Sequence, residues 1–260
     1  FIEYVRYLYV LNSGNIGITF EFPSNAQLPL EVLPWSWPET LDGNPTLHGL
    51  KSILFDFIGL RVPVQRRLFS VPRINNSHLC LSSSPLNVAA FVHNSLLWAI
   101  KGKMRFEEDD RISMRDPSTV ADNPTVAIAH HLLGTATEAQ TQIAHFACHC
   151  QQHDKPDEHS LEFSFNKEFA NVSQRELEIQ MHKQGLVLEN SLPFVFLNAC
   201  NSDSPGQDGS STFTNLFLRK GVRGVLSTEY FVPDRSAFQF STALYDSILG
   251  GSTIGKACFF

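Results

Sequence analysis

The sequence is short of charge, and neither sign dominates it. Charged residues make up 18% of 260, with 20 Lys+Arg against 26 Asp+Glu and a formal net charge of −6. That balance lacks the basic footprint expected of a nucleic-acid-binding or anionic-membrane-binding chain. Long apolar runs are also missing. The greasiest stretch, Asn87 to Ile100, is interrupted by His93 and Asn94, well short of the roughly 18–20 apolar residues a bilayer span needs. No internal repeat is visible, which argues against a solenoid. Disulfide staples are not expected either. The five cysteines, Cys80, Cys148, Cys150, Cys200 and Cys258, are odd in number, and a chain this long can build a core without them. Free thiols fit a reducing, cytoplasmic setting. The chain starts without Met or a signal-peptide pattern and stops inside an apparent helix at Phe260, so a piece of a longer protein is expected.

What is present is 43% hydrophobic residues, enough for a folded core rather than a disordered tail. The first part reads as strands, Tyr4 to Leu11 and Ile16 to Phe22 about a Ser13-Gly14-Asn15 turn, then Ser52 to Phe57 and Arg61 to Phe69 after proline-rich punctuation. Val88 to Ile100 has helical spacing. Arg105 to Asp122 is polar, carries the acidic run Glu107 to Asp110, and reads as a solvated loop at a boundary. Two portions follow from that reading: residues 1–110, β-rich, and 120–260.

The second portion alternates regularly. Thr125 to Leu133 reads as a helix and Gln142 to Cys148 as a strand. Ser173 with Glu176 is a capping-box helix start. Phe194 to Leu197 is an apolar run suited to a strand covered on both faces. Ser210 to Lys220 is helical, Val222 to Thr228 a strand, and Asp234 caps a helix with Ala237, Phe240, Ser241, Leu244, Ser247 and Ile248 inward. Strand and helix in alternation give an α/β fold with a parallel sheet between two helix layers.

Parallel sheets carry their functional groups at the carboxyl ends of strands. Here one strand runs out at His149 and another at Ala199-Cys200. If the strands are neighbours, a thiol and an imidazole share one rim. An imidazole can take the thiol proton and return it to a leaving amine, and backbone N–H groups at Cys150 and Cys200 are candidate oxyanion donors. A metal is the rival use of His145, Cys148, His149, Cys150 and His153. No second Cys/His pair follows at zinc-site spacing, and alternate strand side chains diverge, so no metal is expected and His145 and Cys148 are assigned to the core.

At these residues a family resemblance enters. Ile143-Ala144-His145-Phe146-Ala147-Cys148-His149, followed by Pro193-Phe194-Val195-Phe196-Leu197-Asn198-Ala199-Cys200-Asn201-Ser202, resembles the CHAT domain, a caspase-like peptidase domain of the clan that also holds caspases and separase. Phe217 to Thr228, Val232-Pro233-Asp234 and Ile248 to Ala257 are similar to its later helix, strand and closing motifs. Leu28 to Trp37 resembles an upstream Pro-Trp motif, and Pro45 to Pro72 an inactive, caspase-like half.

The resemblance implies a caspase-like three-layer α/β sandwich, with His149 as base and Cys200 as nucleophile and no cofactor or metal at the dyad. It implies a protein substrate and a regulatory partner or sensor module, in a cell-death or immune-type defence role. The loop Thr228 to Val232 would border the pocket for the residue before the cut, so Glu229, Tyr230 and Phe231, with Asp203 and Asp208 after the nucleophile, are candidate substrate contacts. One departure stands out: the family usually has Gly after its His, and this chain has Cys150. Cysteine is penalised where φ is positive. A catalytically weak or inactive scaffold that binds partners is therefore the alternative to an enzyme.

Overall fold

The computed structural model describes residues 18–22, 64–68, 85–119, 121–133, 141–153, 158–184, 193–200, 212–228 and 231–258. The chain divides into two compact units, residues 1–70 with 243–260, and residues 71–242. In the first unit, β1 (Ile18–Phe22) and β2 (Val64–Leu68) pair in parallel, Ile18 beside Val64 and Phe22 beside Leu68. Both fall within runs that read as strands. The earlier expected strands, the Pro-Trp motif and most of Pro45 to Pro72 lie outside the described residues.

The second unit is built on five strands: β3 (Leu86–Val92), β4 (Ile112–Arg115), β5 (Ile143–Ala147), β9 (Phe194–Asn198) and β10 (Gly224–Leu226). Their order is β10-β9-β5-β3-β4, and every pair is parallel. Alternation of side chains then decides which helices cover which face. On one face Ala89 and Phe91, Ala144 and Phe146, and Val195 and Leu197 share a core with residues of three helices, α2 (Pro124–Leu133), α3 (Gln174–Lys183) and α4 (Phe213–Arg219). Phe91 stacks on Phe146 with ring centres 4.5 Å apart.

On the other face Ala90, Val92 and Ala147 pack with Ala99 of α1 (Leu97–Glu107). Phe196 meets Phe240 of α5 (Asp234–Leu249) on that face. Both faces of β5 and β9 are buried along their whole length, which is why Phe194 to Leu197 reads as a continuous apolar run. The result is the expected α/β sandwich, a mostly parallel sheet between helix layers.

Three expectations are corrected. Val88 to Ile100 is not one helix: Leu86–Val92 is a strand, buried at all but Asn87, and the helix starts only at Leu97. The run is apolar on both faces because it is sheathed on both, and His93-Asn94-Ser95 breaks it. The polar stretch after Arg105 is not all loop. It finishes α1 and contains β4, whose Ile112 pairs with Leu86. Asp234 is the first residue of α5, and the Pro233 carbonyl accepts its first helical bond, from Ala237 N–H. There the Asp234 charge suits the helix N-terminus. By contrast, the Ser173–Glu176 capping box forms with both of its bonds.

A second, antiparallel sheet stands beyond β5: β6 (His149–Gln151), β7 (Ser160–Phe165) and β8 (Glu168–Ser173), in that order. Its β7–β8 turn carries Asn166 and Lys167 at φ of 51° and 70°, the left-handed backbone a two-residue hairpin turn demands.

Candidate active site

The parallel register sets the site. Ile143 pairs with Phe194 and Ala147 with Asn198, a constant offset of 51 residues. Carried two steps past the ends of β5 and β9, the same offset falls on His149 and Cys200. Neighbouring strands lie about 4.8 Å apart, so the two chains leave the sheet side by side at its carboxyl edge. His149 is exposed and Cys200 half-buried.

Cys200 is held by the segment between β10 and α5. Val232 N–H points at Sγ from 3.4 Å, and Sγ lies 3.6 Å from the Val232 carbonyl. The Thr228 hydroxyl donates to the Ala199 carbonyl, and the Asn198 amide donates to the Ala237 carbonyl at 3.3 Å. These bonds tie the exit of β9 to the loop and helix that follow β10. Sγ makes its hydrogen bonds to Val232 rather than to His149. A nucleophile–base bond is often long without substrate and tightens in the complex.

His149 is held from the other side. Its ring meets the His93 ring edge-to-face, centres 4.6 Å apart and planes at 70°. His93 follows β3 directly, one strand over from β5. In the second sheet His149 pairs with Glu162, which puts those two side chains on the same face. Glu162 Oε1 is 3.0 Å from His93 Nε2, and Glu162 also accepts from the Gln151 amide.

Cys150 sits in β6 opposite Leu161. Among the described residues only Asn166 and Lys167 are non-glycines with positive φ, so Cys150 escapes the backbone penalty that its replacement of glycine suggests. Burial, with the nearby Cys200 thiol adding to it, pushes the Cys150 thiol up to about 12. Burial likewise pushes Cys148 well above the ordinary thiol range and Cys258 up to about 11. His145 and Cys148 lie in the interior, at 5% and 2% exposure, and the His145 ring stacks on Phe196 at 4.5 Å. Among the described residues no three His, Cys, Asp or Glu side chains stand close enough to hold a metal ion.

Asp203, Asp208, Glu229 and Tyr230 lie outside the described residues. Phe231 is 72% exposed. His93 and Glu162 belong to the site geometry but were not singled out from the sequence as site residues. His93 was legible by the rule that finds His149, since it stands at the carboxyl end of a parallel strand. Reading Val88 to Ile100 as one helix hid it. Glu162 carries no such signal, because hairpin register is not written in local spacing.

No helix among the described residues is long and apolar enough to cross a membrane. A family model described as the CHAT domain matches residues 115–258, more than half the chain. No curated protein matches it.

Proposed function

The chain belongs to the CHAT domain family, caspase-like and peptidase-related, and from that membership and the rim geometry we propose that it is a cysteine endopeptidase with Cys200 as nucleophile and His149 as base. The β5/β9 register is the observation that carries the reading. The imidazole takes the Sγ proton as sulfur adds to the scissile carbonyl carbon. Backbone N–H groups at Cys150 and Cys200 hold the oxygen of the tetrahedral intermediate. Collapse breaks the C–N bond, and the imidazolium passes its proton to the departing amine. A water molecule, deprotonated by the same imidazole, then hydrolyses the thioester and frees the thiol.

Three features support this division of roles. The Val232 N–H aimed at Sγ stabilises a thiolate. The exposed His149 is reachable by an extended polypeptide. Cys148 is buried and Cys150 half-buried, and with both thiols pushed up they compete poorly for a carbonyl. The substrate is a protein, selected in part by the segment Thr228 to Val232 and by residues after the nucleophile, with Glu229, Tyr230 and Asp203 as contacts. A regulatory protein or sensor module switches the activity on, in a cytoplasmic, defence-type or cell-death role. The expected test is cleavage of a peptide library and of a candidate protein partner by the wild type, and its loss in both Cys200→Ala and His149→Ala. Undiminished cleavage by either variant would remove the dyad.

A second reading is favoured by one observation, Cys150 in the position the family gives to glycine. It makes the chain a caspase-like scaffold that binds without cutting. The extended backbone of Cys150 weakens that objection, because the position is taken without left-handed strain.

A further inference from the structure

We propose that His93, oriented by Glu162 and Ser95, is a positioning residue for His149: a buried imidazole, locked at both nitrogens, that fixes the ring plane of the base. The inference rests on the dyad reading above and adds two residues to it.

His93 is locked at both nitrogens. Ser95 N–H can only donate, and it lies 3.3 Å from Nδ1, so Nδ1 carries the lone pair and accepts. The Ser95 hydroxyl sits on the same nitrogen at 2.7 Å. The ring proton therefore belongs on Nε2 and is donated to Glu162 Oε1 at 3.0 Å. One face of the ring is covered by Phe169 of β8, stacked at 4.6 Å with planes 7° apart. His149 meets the ring edge-to-face, so an imidazole only 3% exposed is clamped between a stacking aromatic, two polar anchors and the base.

Burying a polar ring this thoroughly is costly unless each nitrogen is satisfied, and here each one is. A hydrophobic side chain would pack as well if filling space were the only purpose. The position of the pair is specific to His149. Glu162 is its cross-strand partner in the hairpin, and Gln151, two residues along β6 on the same face, bonds the same carboxylate. Asn94 N–H donates to Ser164 Oγ at 2.9 Å, docking the exit of β3 onto β7. The hairpin thus delivers Glu162 and Phe169 to His93 and, through β6, His149 to the same spot. The titratable groups on His149's face of the hairpin are His93 after β3 and Glu162 on β7, while Cys150, next along β6, points to the opposite face and Cys200 leaves the neighbouring strand β9. Glu162 is the carboxylate among them, and by accepting from the His93 Nε2–H it fixes the ring that His149 packs against.

The test reads Cys200 directly and needs no substrate. Carboxamidomethylation of Cys200 by iodoacetamide is followed by mass spectrometry from pH 5 to 9.5 in the full chain, for the wild type, His149→Ala, Glu162→Gln and His93→Phe. Glu162→Gln keeps the shape but trades the charged acceptor of the His93 bond for a weaker, neutral one, and His93→Phe keeps the stacking surface while removing both anchors. A dyad gives the wild type a reactive plateau below pH 7 that His149→Ala abolishes. With His93 and Glu162 positioning the base, both further variants lose about tenfold of the rate at pH 6, part of the roughly 10²–10⁴ that a well-placed general base supplies, and match the wild type above pH 9, where the thiol ionises without help. A wild-type profile in both variants, or a loss equal at every pH, overturns the inference. If His149→Ala itself keeps the wild-type profile, it is the dyad reading that fails.

Discussion

Among the described residues, Cys148, Cys150 and Cys200 have their surroundings set by where their strands leave them. Cys148 is the last core residue before the sheet edge, and Cys150 is folded back into the hairpin. With its thiol pushed up to about 12, Cys150 is thiolate to roughly one part in 10⁵ at pH 7, by the tenfold-per-unit rule. Cys148, Cys150 and Cys258 are therefore expected to resist iodoacetamide in the native protein at pH 7 and to react fully in denaturant. Peptide mapping before and after unfolding checks this, and native labelling of Cys150 as fast as Cys200 would contradict it. His149→Ala should lower peptidase turnover by about 10²–10⁴, the usual share of a general base, with fold intact by circular dichroism. At this scale His149 and Cys200 were legible because both end apolar runs. Their neighbours Val232, His93 and Glu162 come from distant positions, and only tertiary structure brings them to the rim.

At the scale of elements, legibility tracks how local the cause is. The start of α3 is written in four residues, and Ser173→Ala should cost about 1 kcal/mol in urea unfolding through loss of the Ser173 Oγ bond to Glu176 N–H. β9 was readable from the continuous apolar run Phe194 to Leu197, and β5 as a strand candidate ending at the Cys148-His149 pair. β3 was not, because an apolar run buried on both faces looks the same at helical and at strand spacing. β10 is shorter than its sequence suggests, three residues rather than seven.

The glycine at the start of β10 has a packing reason. A Cβ at Gly224 would stand 3.1 and 3.2 Å from two ring carbons of Phe194, its partner in the ladder. Gly224→Ala should therefore destabilise, and Phe194→Leu should relieve much of that cost. A double-mutant cycle on unfolding free energies tests the pair. Additive costs would show that the ring gives way freely.

The whole molecule has a pH dependence built into its interior. Burial lowers His131 to about 4 and His145 to about 3, against an ordinary 6.5. Both are neutral in the folded protein at pH values where the unfolded chain would protonate them. Between pH 6.5 and about 4 the unfolded state binds more protons, so stability is full above 6.5 and falls as the solution is acidified. Each group contributes up to about 1.4 kcal/mol per pH unit across that window. Urea midpoints measured from pH 7 to pH 4.5 should drop steadily, and His145→Phe, which keeps the stacking on Phe196, should flatten the slope by one group's share. An unchanged slope would place that titration elsewhere.

At one end of the parallel sheet a thiol from β9 and an imidazole from β5 leave side by side, and this edge is the proposed seat of reaction. The most direct measurement of that claim is labelling by an irreversible peptide electrophile, read as modified residues by mass spectrometry. The account predicts modification of Cys200 in the wild type and none in His149→Ala at neutral pH. Equal labelling of Cys200 with and without the imidazole, or no labelling of Cys200 in either, would contradict it.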